Sequence, residues 1–235
     1  MIELHQYPSI WGLSSLSPFC IKVEDFLKRN QVPYRIVVEK NPARGPKGKM
    51  PFIRDLTNGG NTVVSDSTFI INYLMETYSL HSAKVDPALQ AQGLAFQRMI
   101  EEHLYFILLY SRWMDPVGWK VLKQEFTPLF PAIIGPPFLL FIRRQLRKQA
   151  QAQGLGRHTS QEVYEIGLQD LNAISSFLGE KPFLLGDHWT AVDATLYAFL
   201  TTILKQPIDS ELKAAVLSHP NLVAYHQRQD QEFSK

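Results

Sequence analysis

The rhythm of apolar and polar positions changes once along this chain, near residue 80. Before that point short apolar runs alternate with turn residues. Ile2–Tyr7 reads as a strand and Ile21–Asn30 as an amphipathic helix, with Ile21, Val23, Phe26 and Leu27 at its apolar positions. Tyr34–Glu39, rich in β-branched residues, reads as a second strand. Pro51–Leu56 and Thr62–Val64 read as two more, joined by the turn Thr57–Gly60. Ser65 or Asp66 then caps a helix running through Phe69, Ile70, Tyr73, Leu74 and Tyr78. The order β-α-β-x-β-β-α predicts a compact α/β sandwich over residues 1–80.

Beyond residue 85 the period is helical. Ala88–Met114 repeats apolar residues at Leu94, Phe96, Ile100, Leu104 and Leu108, and Asp115–Gly118 interrupts it. Phe138–Gln153, Ser160–Leu178 and Thr190–Lys205 are further predicted helices. The last opens with Thr190 as N-cap and Asp193 as the acid reaching back to its backbone N–H, and Pro207 stops it. Shorter helices finish the chain. The expected organisation is an α/β domain at 1–80, a linker at about Ser79–Pro87, and an all-α domain at 87–235.

Composition narrows the function classes. At 45% apolar and 20% charged, the chain is an ordinary globular protein. A net charge of +2, with dispersed basic residues, gives no reason to expect nucleic acid. The local exception is Arg143, Arg144, Arg147 and Lys148. A single cysteine excludes an internal disulfide, and the strand-like N-terminus lacks a basic leader, so the cytoplasm is the expected compartment. Pro131–Ile142 is apolar but too short to span a membrane, and prolines and a glycine break it. It reads as a buried loop and helix start, with docking on a membrane surface as the other reading.

The chemistry concentrates at Ser17-Pro18-Phe19-Cys20, between the first strand and the first helix. Proline suits the first helical position, which makes Ser17 the N-cap. The unpaired N–H groups and dipole of a helix start favour negative charge, so a sulfur held there ionises more easily. Cys20, one turn along on the same face, is one such sulfur, and a bound thiol is another. From spacing alone, a capping serine and a buried cysteine are the preferred account of the pair. Glu101, Glu102 and His103 lack metal-ligand spacing, and no metal is expected.

Three further motifs accompany this start: Gly48-Lys49-Met50-Pro51-Phe52-Ile53, Ser65-Asp66-Ser67, and Gly186-Asp187-His188-Trp189-Thr190-Ala191-Val192-Asp193-Ala194. Together and in this order they resemble the glutathione transferase superfamily over nearly the whole chain. Ser-Pro-Phe-Cys, Glu101-Glu102-His103-Leu104-Tyr105 and Tyr110-Ser111-Arg112-Trp113 are worded as in the failed-axon-connections and metaxin-like branch. Tau-like transferases also place a catalytic serine before Pro-Phe. Members with cysteine where this chain has Ser17 work as glutaredoxins do, so this chain departs from them.

The resemblance implies a thioredoxin-like N-terminal domain followed by an all-helical C-terminal domain, with glutathione as co-substrate. Ser17 would hydrogen-bond the glutathione thiolate, with Ser14 or Ser15 as alternatives if the loop folds back. Lowering a thiol pKa of ~8.5 by ~1–2 units corresponds to ~1.4–2.7 kcal/mol of thiolate stabilisation. Pro51 would be cis, presenting Met50 to the cysteinyl backbone. Asp66 and Ser67 would hold the γ-glutamyl end, and Lys49, Lys47 or Lys40 the glycyl carboxylate. Trp11, Phe19, Tyr105, Tyr110 and Trp113 would wall the pocket of an apolar electrophile, and a homodimer is implied. Two rival functions follow from the same residues: a non-catalytic adaptor of the metaxin-like kind, and a glutathione-dependent oxidoreductase or peroxidase acting through Cys20.

Overall fold

A computed structural model describes residues 1–80 and 85–233. Part of the expected linker, residues 81–84, lies outside the described residues. The sheet has the order β2-β1-β3-β4, formed by β1 (Ile2–Gln6), β2 (Tyr34–Val38), β3 (Phe52–Asp55) and β4 (Thr62–Ser65). β1 runs parallel to β2 and antiparallel to β3, and β3 is antiparallel to β4. With α1 (Pro18–Arg29) crossing between the parallel strands and α2 (Ser67–Thr77) after β4, this is the expected thioredoxin-like sandwich. Ile2 and Leu4 alternate inward from β1 and meet Val23, Phe26 and Leu27 of α1 and Ile70, Ile71 and Leu74 of α2. Each such side chain, fully buried, contributes roughly 1.5–3 kcal/mol.

The rest of the described chain is helical: α3 (Pro87–Arg98), α4 (Tyr105–Trp113), α5 (Pro116–Phe126), α6 (Gly135–Gln153), α7 (Ser160–Leu178), α8 (Ala191–Lys205), α9 (Glu211–Leu217) and α10 (Pro220–Phe233). Between α3 and α4 the backbone takes a π-helical course over Met99–Leu104. No helix among the described residues is long and apolar enough to cross a membrane.

Compactness groups the chain non-sequentially. One unit holds the described residues of Met1–Gln97, Glu180–Lys205 and the chain from Ala224, and the other holds Arg98–Gly179 with Gln206–Val223. In the first unit α8 lies along α1, which explains a departure from the amphipathic pattern. α1 is buried from Cys20 to Leu27, including the polar positions Lys22, Glu24 and Asp25. Glu24 accepts from the Tyr34 hydroxyl at 3.1 Å, and Asp25 accepts from Arg29 Nε at 2.8 Å. The Asp193 carboxylate at the start of α8 takes the Thr190 N–H and hydroxyl, both at 2.9 Å, as its spacing predicts. It also takes the Leu184 N–H at 2.7 Å and the Tyr225 hydroxyl at 2.9 Å.

Two expectations fail in the second unit. Asp115–Gly118 starts a helix as well as ending one: Asp115 accepts from Val117 N at 2.7 Å and Pro116 occupies the first position of α5. The apolar segment that leads into and begins α6 is mostly exposed, with only Gly135 and Leu139 buried between residues 131 and 142. Ile133 is 89% exposed, and Ile134, Leu140 and Phe141 also face outward.

Candidate functional site

The loop from β1 to α1 folds back on itself. Ile10 and Leu13 exchange backbone hydrogen bonds of 3.1 and 2.8 Å around Trp11 and Gly12, whose φ angles are 55° and 73°. Two successive left-handed residues make the tight turn that joins antiparallel arms. Gly12 adopts it without cost, whereas a bulky Trp11 there is backbone strain of the kind found at functional sites. The turn returns the chain so that Gln6 Nε2 donates to the Ser14 carbonyl at 3.1 Å. It brings three serines to the start of α1.

Ser17 is the N-cap, with Pro18 in the first helical position, but its side chain makes no cap bond. Its carbonyl accepts from Cys20 N at 3.0 Å and its own N–H donates to Ser15 Oγ at 3.4 Å. Ser17 is half-buried, whereas Ser15 is fully buried. The Ser14 hydroxyl oxygen is buried and has no hydrogen-bond partner among the described residues.

Cys20 is fully enclosed among Met50, Phe52 and Tyr7. Burial pushes its thiol up to about 11, against smaller opposing effects of the Ser15 hydroxyl, the Tyr7 backbone and the Ser17 hydroxyl. At neutral pH it is a packed, protonated thiol, because burial outweighs those hydrogen bonds.

Met50–Pro51 is cis, as the resemblance implies, and both residues are buried. The Pro51 carbonyl accepts from Asp66 N at 3.4 Å, which ties the start of β3 to the start of α2. Asp66 sits at φ 87°, a left-handed conformation, and its exposed carboxylate caps α2 through Thr68 N at 3.0 Å and Phe69 N at 3.5 Å. Ser67 is buried behind it. Lys22 Nζ donates to Ser67 Oγ at 3.5 Å and to Thr68 Oγ1 at 3.4 Å, and Gln97 Nε2 reaches the same Thr68 oxygen at 3.1 Å. Lys22, Thr68 and Gln97 are the site neighbours that sequence reasoning missed. The signal for Lys22 was a cation among the apolar positions of α1.

Of the three lysines considered for a glycyl carboxylate, Lys47 lies over the Phe69 ring at 4.5 Å, while Lys49 and Lys40 are exposed. The proposed pocket aromatics divide between the two units. Trp11 packs with Leu13, Ile21 and Tyr197, and the Phe19 ring meets Phe199 edge-on at 5.6 Å. In the other unit Tyr105, Tyr110 and Trp113 surround Leu109, Met114 and Ala150. Tyr110 packs edge-on against Tyr164 at 6.1 Å and Trp113 tilts against Trp119 at 6.3 Å, so both have core duties.

Comparison with known proteins accords with this geometry. The profile of the glutathione S-transferase N-terminal domain matches residues 18–118, and that of the glutathione S-transferase C-terminal domain matches 167–229. The isoprene-epoxide–glutathione S-transferase of Rhodococcus sp. (strain AD45) is 34% identical over 242 residues, covering 97% of each chain. Failed axon connections of Drosophila melanogaster is 33% identical, across 97% of this chain and 57% of its own. Among solved structures, glutathione transferase GSTFuA3 from Phanerochaete chrysosporium superposes with a TM-score of 0.68 at 19% identity, covering 99% of this chain and 96% of that one.

Proposed function

The chain belongs to the glutathione S-transferase superfamily, and on that premise we propose that it binds glutathione and joins the thiolate to a small apolar epoxide. The observation that carries the reading is Ser17, a half-buried hydroxyl at a helix start that makes no cap bond to the backbone N–H groups of its helix. It donates to the glutathione sulfur, and the dipole of α1 adds to the stabilisation. The cysteinyl backbone pairs with Met50 beside the cis bond. The γ-glutamyl carboxylate takes the start of α2 and Ser67, with the buried Lys22 ammonium behind, and the γ-glutamyl amine faces Asp66. The electrophile class is supported by the likeness over nearly full length to the Rhodococcus enzyme.

The thiol proton passes to water when the thiolate forms. The thiolate then attacks an epoxide carbon, the C–S bond forms as the C–O bond breaks, and the alkoxide takes a proton from water. With ~1.4–2.7 kcal/mol of thiolate stabilisation shared between the hydroxyl and the helix start, Ser17→Ala should lower kcat/KM by up to ~10–100-fold and raise the pKa of the bound thiol by up to ~1–2 units. Epoxide conjugation followed against pH, with ultraviolet detection of the bound thiolate, reads both. Cys20→Ser should stay close to the parent. Loss of activity in Cys20→Ser with retention in Ser17→Ala would favour the redox reading. Loss in Ser14→Ala alone would move the hydroxyl to Ser14. The likeness to Failed axon connections supports a second reading, a binding module without turnover. A folded protein that does not bind glutathione at millimolar concentration would decide for it.

A further inference from the structure

The most exposed apolar surface of the second unit lies beside its strongest charge asymmetry. Six of the sixteen exposed large apolar side chains among the described residues fall between 129 and 141: Leu129, Ile133, Ile134, Phe138, Leu140 and Phe141. That clustering is not the scatter of single apolar residues normal on a surface. No Asp or Glu stands between Glu125 and Glu162, while Arg143, Arg144, Arg147, Lys148 and Arg157 fall in that stretch.

α6 sorts these residues by helical spacing. Its inner row is Leu139, Arg143, Leu146 and Ala150. Leu139 and Ala150 are fully buried, and the Arg143 guanidinium turns inward, donating to the Trp113 carbonyl at 2.7 Å and the Met114 carbonyl at 3.2 Å while lying over Trp119. The outer row is Pro137, Leu140, Phe141, Arg144, Arg147 and Lys148, all exposed. It is apolar in its first turns and cationic in the next, with an open groove of about 450 Å³ where the two meet. A partner for this face must offer hydrocarbon and negative charge within one helix length.

We infer that residues 129–148 dock on the surface of an anionic lipid bilayer. Ile133, Ile134, Leu140 and Phe141 enter the boundary between headgroups and acyl chains, and Arg144, Arg147 and Lys148 meet the phosphates. Charge complementarity sets this occupant apart from a second copy of the chain: the same face on a copy carries the same positive charge and would repel. Every such Lys or Arg near an anionic surface strengthens binding about fivefold. The apolar row adds an affinity that neutral lipid alone supports weakly.

The test is co-sedimentation of the full chain with vesicles of phosphatidylcholine alone and of phosphatidylcholine mixed with phosphatidylglycerol. The chain should pellet with the anionic vesicles, remain in solution with the neutral ones, and be released by salt. The double variant Arg144→Glu/Arg147→Glu should bind at least about 25-fold more weakly. Ile133→Ser/Phe141→Ser should bind about tenfold more weakly. All four side chains are exposed, so circular dichroism and melting should match the parent. Failure to bind anionic vesicles at low salt overturns the inference, as does undiminished binding by the arginine variant. A concentration-dependent dimer that Ile133→Ser/Phe141→Ser dissociates would assign the face to a second copy and overturn it too.

Discussion

Ser17 and Cys20 sit one helical turn apart, yet their surroundings give them opposite chemistry. Ser17 is half-buried and leaves its cap bond unmade, while Cys20 is sealed among Tyr7, Met50 and Phe52 with its thiol pushed up by burial to about 11. At pH 7 the thiol is protonated. Ellman's reagent should therefore not modify the native protein at neutral pH, and its reaction should follow the unfolding curve in urea. Fast labelling of folded protein would restore Cys20 as a candidate nucleophile. Much of the candidate site was legible in the sequence because its signals are local. Pro18 marks Ser17 as the N-cap, Pro51 follows Met50 at the start of a strand, and Asp66 precedes a helical run. Lys22 stood out only as a cation among apolar positions, and its role was not legible, because it comes from α2, more than forty residues away, whose Ser67 and Thr68 hydroxyls it meets. The left-handed φ of Trp11 was equally hidden, since a tryptophan carries no turn signal.

At the scale of elements, local periodicity served best where the caps agreed with it. The predicted helix Ser160–Leu178 is α7, closed at its start by a capping box between Thr159 and Glu162. α5 was lost because Pro116 and Gly118 read as breakers. Pro116 is a start signal once Asp115 is seen as its cap, and Gly118 is there for packing. A Cβ at Gly118 would lie 1.9 Å from the Ser111 carbonyl oxygen and 3.0 Å from Arg112 Cα, both backbone atoms of α4 that no rotamer change can move. Gly118→Ala should therefore lower stability by about 3 kcal/mol or more by forcing α4 and α5 apart, despite the better helix propensity of alanine. Urea unfolding would measure it; a variant within ~0.5 kcal/mol of the parent would mean that the helices separate without cost. The exposed start of α6 was misread for a different reason. An apolar run has no periodicity that separates a buried loop from a surface meant to meet something else.

At the scale of the whole molecule, the order of elements was legible but their grouping was not, because α8 and the later turns of α10 return to the sheet-bearing unit over long sequence distances. That return buries two titratable groups whose effects on stability oppose each other. On α1, burial raises Asp25 to about 6, with Asp193 adding to the rise and Arg29 and Lys28 opposing it. On α10, burial lowers His226 to about 4, with Lys205 adding to the fall and Asp230 opposing it. Between about pH 4 and 6 the folded protein holds a proton on Asp25 that the unfolded chain, with an ordinary carboxyl near ~3.9, has released, so this contribution falls as pH rises. Between about pH 6.5 and 4 the unfolded chain protonates His226 and the folded protein does not, so that contribution falls as pH drops. Each shift of some two units or more corresponds to roughly 3 kcal/mol, and the two largely offset one another in the parent. Single substitutions separate them. Asp25→Asn should gain stability relative to the parent as pH rises from 4 to 6, and His226→Gln should gain it as pH falls from 6.5 to 4. Denaturant unfolding of parent and both variants across this range tests the pair: two difference curves of the same slope, or two flat ones, would mean that these groups do not couple folding to protons in this way.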